Sequence, residues 1–110
     1  STLLTGDAEL KVGSDSFVII EHVDSDQKKR EMNLPLFEEL ERELKTKPGF
    51  KSLQVWTWDA RTNHWTVIET WENAESHHSA YRSPKVVSLW DNIYGNAAAP
   101  NNESEYTLVN

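Results

Sequence analysis

WTVIETWENAESHHSAYRSP, from Trp65 to Pro84, reads as a strand that turns sharply into a short helix and restarts at Ser83-Pro84. From Trp65 to Trp71 the residues alternate by side: Trp65, Val67, Glu69 and Trp71 share one face, and Thr66, Ile68 and Thr70 the other. Glu69 is therefore a carboxylate in a row of two indoles and a valine. Asn73 reads as a helix N-cap, its side chain able to accept from a first-turn N–H, and Glu75 suits the positive end of that helix.

Upstream, Phe17 to Val23 (FVIIEHV) is a strand with Phe17, Ile19, Glu21 and Val23 on one side and Val18, Ile20 and His22 on the other. A strand apolar on both faces is covered on both. Asp24-Ser25-Asp26 caps a helix that runs to about Thr46, with a stripe of Met32, Leu36, Phe37, Leu40 and Leu44. Pro35 kinks this helix or forces a second start after Asn33, and Pro48-Gly49 stops it. Glu38, Glu39, Glu41, Arg42, Glu43 and Lys45 form a solvated face. Ser52 to Asp59 is the second strand, with Gln54, Trp56 and Trp58 opposite Leu53, Val55 and Thr57, and 59–64 is a hairpin loop. Ser83 caps a last helix that Pro84 opens and Gly95 ends, with Val86, Val87, Trp90, Ile93 and Tyr94 as its buried stripe. Glu105 to Val109 is the final strand.

Residues 1–16 are expected to form an N-terminal arm, with a short edge strand at Glu9 to Val12, and 17–110 the folded domain. The order β-α-β-β-α-α-β predicts a ferredoxin-like α+β unit, an antiparallel sheet with helices on one face. The other sheet face is apolar and uncovered, which calls for a partner.

A chain of 110 residues is one small domain that buries about two-thirds of its extended surface. Five Trp are more indole than so small a core packs, so some rings line a pocket or an interface. The net charge of −7 argues against nucleic acid and anionic membranes as partners. No apolar run approaches the length of a signal peptide core or a membrane span. The absence of cysteine removes disulfide and thiolate chemistry and fits the cytoplasmic location we expect. There is no G-x-S-x-G elbow and no phosphate-cradling Gly loop, so a Rossmann-bound flavin or nicotinamide is not expected. His77 and His78 are neighbours on a helix, diverging by about 100°, so no metal site is expected there.

Glu69-Thr70-Trp71 followed by Ser83-Pro84, together with the opening strand, the long helix ending at Pro48-Gly49-Phe50 and the Trp-rich second strand, resembles the antibiotic biosynthesis monooxygenase (ABM) family. The resemblance covers roughly residues 17–95. It implies a homodimer that sets two sheets face to face as a dimeric α+β barrel. It also implies cofactor-independent oxygenation, by O2 and without metal or flavin, of a small aromatic substrate of phenolic, quinol or anthrone-like type. Some relatives of this fold degrade haem through an iron-ligating His early in the final helix. That position falls near Trp90, which cannot ligate iron so, while His22 stands where those proteins place a pocket Asn. Family members commonly carry a His three residues before the Ser of the S-P pair, where this chain has Ala80. His77, three residues earlier, keeps nearly the same face, whereas two positions swing His78 by about 200°.

Three residues are candidate catalytic bases: His22, Glu69 and His77. His22 has the best intrinsic pKa, and family spacing puts its row with Val18 and Ile20 on the pocket side, under the helices. A lone His in an apolar strand is more often a satisfied structural residue. Glu69 serves if burial raises its pKa, and is otherwise a structural carboxylate. Trp56, Trp58, Trp65, Trp71, Tyr81 and Trp90 are candidates for holding a planar substrate, although core packing explains each indole taken alone. Asn63 and His64 either reach a substrate oxygen or are simply solvated. The expected function is a cofactor-independent monooxygenase of a small aromatic molecule. The alternatives are a non-redox cyclase or isomerase of a polyketide-like substrate in the same pocket, and a non-catalytic small-molecule-binding dimer.

Overall fold

The structure, a computed structural model, describes residues 2–4, 16–97 and 102–109. Strands β1 (Thr2–Leu4), β2 (Phe17–Asp24), β3 (Phe50–Trp58), β4 (Arg61–Trp71) and β5 (Asn102–Thr107) form one sheet in the order β1-β3-β4-β2-β5. Every pairing is antiparallel. Helices α1 (Asn33–Leu44), α2 (Ala74–Ala80) and α3 (Pro84–Gly95), with a 3-10 turn at Gln27–Met32, complete the ferredoxin-like α+β order read from the sequence. The expected edge strand at Glu9–Val12 lies outside the described residues; the strand present at that edge is Thr2–Leu4, paired to β3.

Strand register assigns the faces. Opposite Trp71, Glu69, Val67 and Trp65 of β4 stand Phe17, Ile19, Glu21 and Val23 of β2, and Leu53, Val55 and Thr57 of β3 complete the row. This row meets Phe37, Leu40 and Leu44 of α1 and Val86, Leu89, Trp90 and Ile93 of α3 in one buried cluster. At about 25 cal/mol per Å2 of buried apolar surface, this helix-covered side carries most of the folding drive.

The other row holds Val18, Ile20, His22, Trp56, Thr66 and Ile68 and has no helix over it. The expectation that His22 lies under the helices is therefore corrected. The alternation along the strand is as expected and its parity is the opposite, and with period two a change of parity moves every residue of the row.

Other departures are local. The hairpin turn is only Asp59-Ala60, because β4 starts at Arg61, four residues earlier than expected, and Arg61 already pairs with Trp58. Pro35 sits in the first turn of α1, where its missing N–H leaves no bond unmade, and the chain before it closes as a 3-10 turn capped by the Asp26 side chain on the Lys28 N–H. Met32 is exposed, and Asn33 takes its buried place: its amide donates to Ser25 Oγ and its carbonyl accepts from Asn96 Nδ2 at 3.0 Å. In α3 Leu89 is buried instead of Val87 and Tyr94, which stand part-exposed beside a cavity. The last strand starts three residues earlier than expected, bringing Glu103 opposite Glu21.

Gly49 has φ 81° and packs so closely on α2 that a Cβ would collide with the Ser76 side chain. Its carbonyl accepts from Glu72 N at 2.7 Å, fixing the turn that aims α2 back across the sheet. Asn73 caps α2 as expected, accepting from Ser76 N at 2.9 Å.

Candidate active site

Where α2 and α3 lean away from the sheet, a cavity of about 190 Å3 opens between them and the strands. Its walls include Ile19 and Glu21 of β2, Glu69 of β4, His77 of α2 with Tyr81 just beyond it, Trp90 and Tyr94 of α3, and Glu103 of β5.

Glu69 is 2% exposed. Trp71 Nε1 donates to its Oε1 at 2.9 Å, and the Tyr81 hydroxyl donates to its Oε2. Trp90 Nε1 in turn donates to the Tyr81 oxygen at 2.7 Å. This chain of indole, phenol and carboxylate fixes the carboxyl plane and explains why three aromatic residues with polar handles converge here. Burial raises the Glu69 pKa to about 7, outweighing the hydrogen bonds from Tyr81 and Trp71 that favour the ionised form. The Tyr81 hydroxyl is held well above its usual range by burial and by the neighbouring Glu69 carboxylate, so it stays protonated and a donor.

Glu21 repeats the pattern one strand over. It is 4% exposed, its Oε1 accepts from the Tyr94 hydroxyl at 2.5 Å, and burial lifts its pKa to about 7 against that hydrogen bond. Sequence reasoning missed Glu21 as a site residue, although the same signal that marked Glu69 was present: one carboxylate in the apolar row Phe17, Ile19, Glu21, Val23. Glu103, directly opposite on β5, is also raised by burial and by Glu105.

His77 and Ala80 share the buried face of α2, three residues apart, while His78 is exposed. The His77 ring stacks near Tyr81 at 4.4 Å and Phe17 at 5.4 Å, and its Nδ1 has no hydrogen-bond partner. Burial, followed by the nearby His78, lowers its pKa to about 4, so the imidazole is neutral at pH 7.

The remaining candidates lie elsewhere. His22 is exposed on the open sheet face, its Nδ1 3.1 Å from Thr66 Oγ1 and its ring stacked on His64 at 5.6 Å. Trp56 and Trp58 are on that face too, 37% and 55% exposed, so they do not line the cavity. Trp65 is core: it packs on Phe37 at 5.5 Å and donates to Ser25 Oγ at 2.7 Å. Trp71 is not on the cavity wall; it reaches the site through its bond to Glu69 and its ring contact with His77 at 5.8 Å, with Phe50 against it at 5.2 Å. Asn63 donates to the Ser25 carbonyl at 2.9 Å, and His64 Nδ1 lies 2.6 Å from Asp24 Oδ1.

Among the described residues one group has the composition of a metal site. Ligand atoms of His77, His78 and Glu105 lie within 4.8 Å of one another, against about 3.3 Å between neighbouring ligands on a tetrahedral zinc ion. The two backbone positions diverge as expected for helix neighbours, yet the rings approach to 5.3 Å. Trp90, near which the resemblance puts the haem-ligand position, donates its Nε1–H to the Tyr81 oxygen.

Residues 16–88 match the family of antibiotic biosynthesis monooxygenases. The chain belongs to that family. Solved structures agree on the fold at identities too low to show more. A conserved protein from Methanosarcina mazei Go1 is 14% identical, with TM-score 0.78 over 83% of this chain and 90% of that one. A protein from Nitrosomonas europaea ascribed to the same family is 12% identical, with TM-score 0.79 over 89% and 94%. SnoaB, a cofactor-independent oxygenase from Streptomyces nogalater, is 12% identical as a mutant form, with TM-score 0.79 over 86% and 94%. No curated protein matches the chain by sequence. Among the described residues no helix of this ABM protein is long and apolar enough to cross a membrane.

Proposed function

We propose that this ABM protein is a cofactor-independent monooxygenase that uses O2 on a small phenol or quinol, with Glu69 as the base. The observation that carries the reading is the Glu69 carboxyl itself, buried, facing the cavity, held by two donors and poised near pH 7. A cavity of about 190 Å3 takes one ring with short substituents. The likeness in fold to SnoaB supports the same reaction class.

Ionised Glu69 takes the phenolic proton, and the phenolate gives one electron to O2. The aryloxyl radical and superoxide combine at a ring carbon ortho to the oxygen, and the Glu69 proton passes to the peroxide. Glu69 then removes the proton from that same carbon while the O–O bond breaks. The leaving hydroxide takes the proton and departs as water. One oxygen stays as a new carbonyl, so a phenol and O2 give an ortho-quinone and water, and Glu69 ends ionised as it began. Tyr81 and Trp71 keep the carboxyl in one plane throughout.

The second part of the reading is a homodimer. Trp56, Trp58 and Tyr106 stand exposed on the sheet face without helices, among Val18, Ile20 and Ile68, and a second copy would cover them. Two carboxylates on one cavity also suit proton shuttling without O2, as in a cyclase or isomerase. An oxygen electrode with a panel of one-ring quinols separates the readings: uptake of one O2 per substrate is expected. Substrate conversion with no uptake would replace the oxygenase by the isomerase, and binding without conversion would leave a ligand-binding dimer.

A further inference from the structure

The polar lining of the cavity accepts hydrogen bonds and offers almost none. Four carboxylates reach it, Glu21, Glu69, Asp91 and Glu103, and among the described residues no Lys or Arg does. The two tyrosines on its wall have already given their hydrogens, Tyr81 to Glu69 and Tyr94 to Glu21, so their oxygens are left as acceptors. His77 is 7% exposed, lines the same space, and has a ring nitrogen without a partner. Nearby basic side chains are used elsewhere: Lys85 pairs with Glu39 and Glu43 on α1, and Lys51 donates to Ser16. The remaining wall is Ile19, Val87 and the Trp90 and Tyr94 rings, which lie 5.4 Å apart.

We infer that the substrate is a one-ring aromatic carrying a protonated amine, with the ammonium held by Glu21, Glu103 and Asp91 against the Trp90 and Tyr94 rings and the reacting hydroxyl placed at Glu69. An ammonium is a cluster of donors with no acceptor, which complements a wall that has four carboxyl groups and, among the described residues, no Lys or Arg. Its charge is also attracted by aromatic faces, and more strongly in a site shielded from water. Burial without a counter-cation is what holds Glu21 and Glu69 near pKa 7, and a bound ammonium supplies the missing charge. A carboxylate-bearing analogue would meet four acids and no cation, so it is excluded.

The inference rests on this cavity being the substrate site of the proposed oxygenase, and the test keeps the two apart. Three matched ligands share a catechol ring and differ at one short arm: 2-(3,4-dihydroxyphenyl)ethylamine, 4-ethylcatechol and 3-(3,4-dihydroxyphenyl)propionate. Calorimetric titration of the full chain at pH 7.5 without O2 should give an affinity for the amine at least about tenfold above the neutral ligand, with the carboxylate weakest. Glu21→Gln should erase most of that preference while leaving the neutral ligand within about threefold. Should that variant misfold, Glu103→Gln at the rim should reduce the preference in the same direction. Equal affinity across the series, or tighter binding of the carboxylate, overturns the inference. A preference for the amine with no oxygen uptake in air leaves the inference standing and removes the oxygenase.

Discussion

Replacing Glu69 by Gln removes a charge the fold has to bury while keeping the shape of the protonated carboxyl. Its folded pKa of about 7 stands above the 4.5 of the unfolded chain. Below pH 4.5 both states are protonated and the group leaves stability untouched. As pH rises toward 7 the unfolded chain ionises freely and the folded one resists, so stability is lost through that window. Integrating between those two pKa values gives a loss of about 2–3 kcal/mol from pH 5 to pH 8. Glu21 acts in the same direction. His77, lowered from 6.5 to about 4, acts oppositely: its contribution is present above pH 6.5 and fades as pH falls. The difference between variant and wild type removes the His77 contribution and most of that of Glu21, whose charge also raises Glu69. Urea unfolding at one protein concentration, followed by Trp fluorescence, should show Glu69→Gln gaining about 2–3 kcal/mol on wild type between pH 5 and pH 8. A difference that stays flat across that range would mean that Glu69 is not a buried carboxyl of raised pKa, and the choice of base would go with it.

The remaining predictions are simpler. Sedimentation at micromolar concentration should give about twice the 12.7 kDa chain mass, and a clean monomer would refute the face-to-face dimer. Phe37→Ala opens a void beneath Trp65 and Trp90 and should cost about 3–5 kcal/mol by chemical denaturation; a loss under 1 kcal/mol would contradict the packing. His22→Ala should leave turnover within about threefold, since the ring is outside the cavity, and a hundredfold loss would restore His22 as the base.

The sequence carried the element order because its signals are local: alternation in the strands, Asn73 and Pro84 at helix starts, Gly49 after the long helix. Which face of a strand meets the helices is not local. Phe17 to Val23 is apolar on both sides, so periodicity left the parity free, and His22 was put in the cavity where Glu21 belongs. On β4 the same question was settled by content, since two indoles and a valine mark the covered row, and Glu69 was found. Tyr81 and Trp90 were legible as aromatics near the site, but their bonds to Glu69 depend on α2 and α3 crossing the sheet at a set angle. Trp56 and Trp58 were read as pocket because five indoles exceed a small core, and the excess stands on the open sheet face instead.

The pH dependence of kcat/KM for O2 uptake with a one-ring quinol, measured for wild type and Glu69→Gln, tests Glu69 as the base most directly. Wild type should rise with pH through the range near pH 7 in which Glu69 ionises, and the variant should be slower by about 10²–10⁴-fold and lack that part of the rise. A folded Glu69→Gln protein that keeps the wild-type rate and profile would contradict the account.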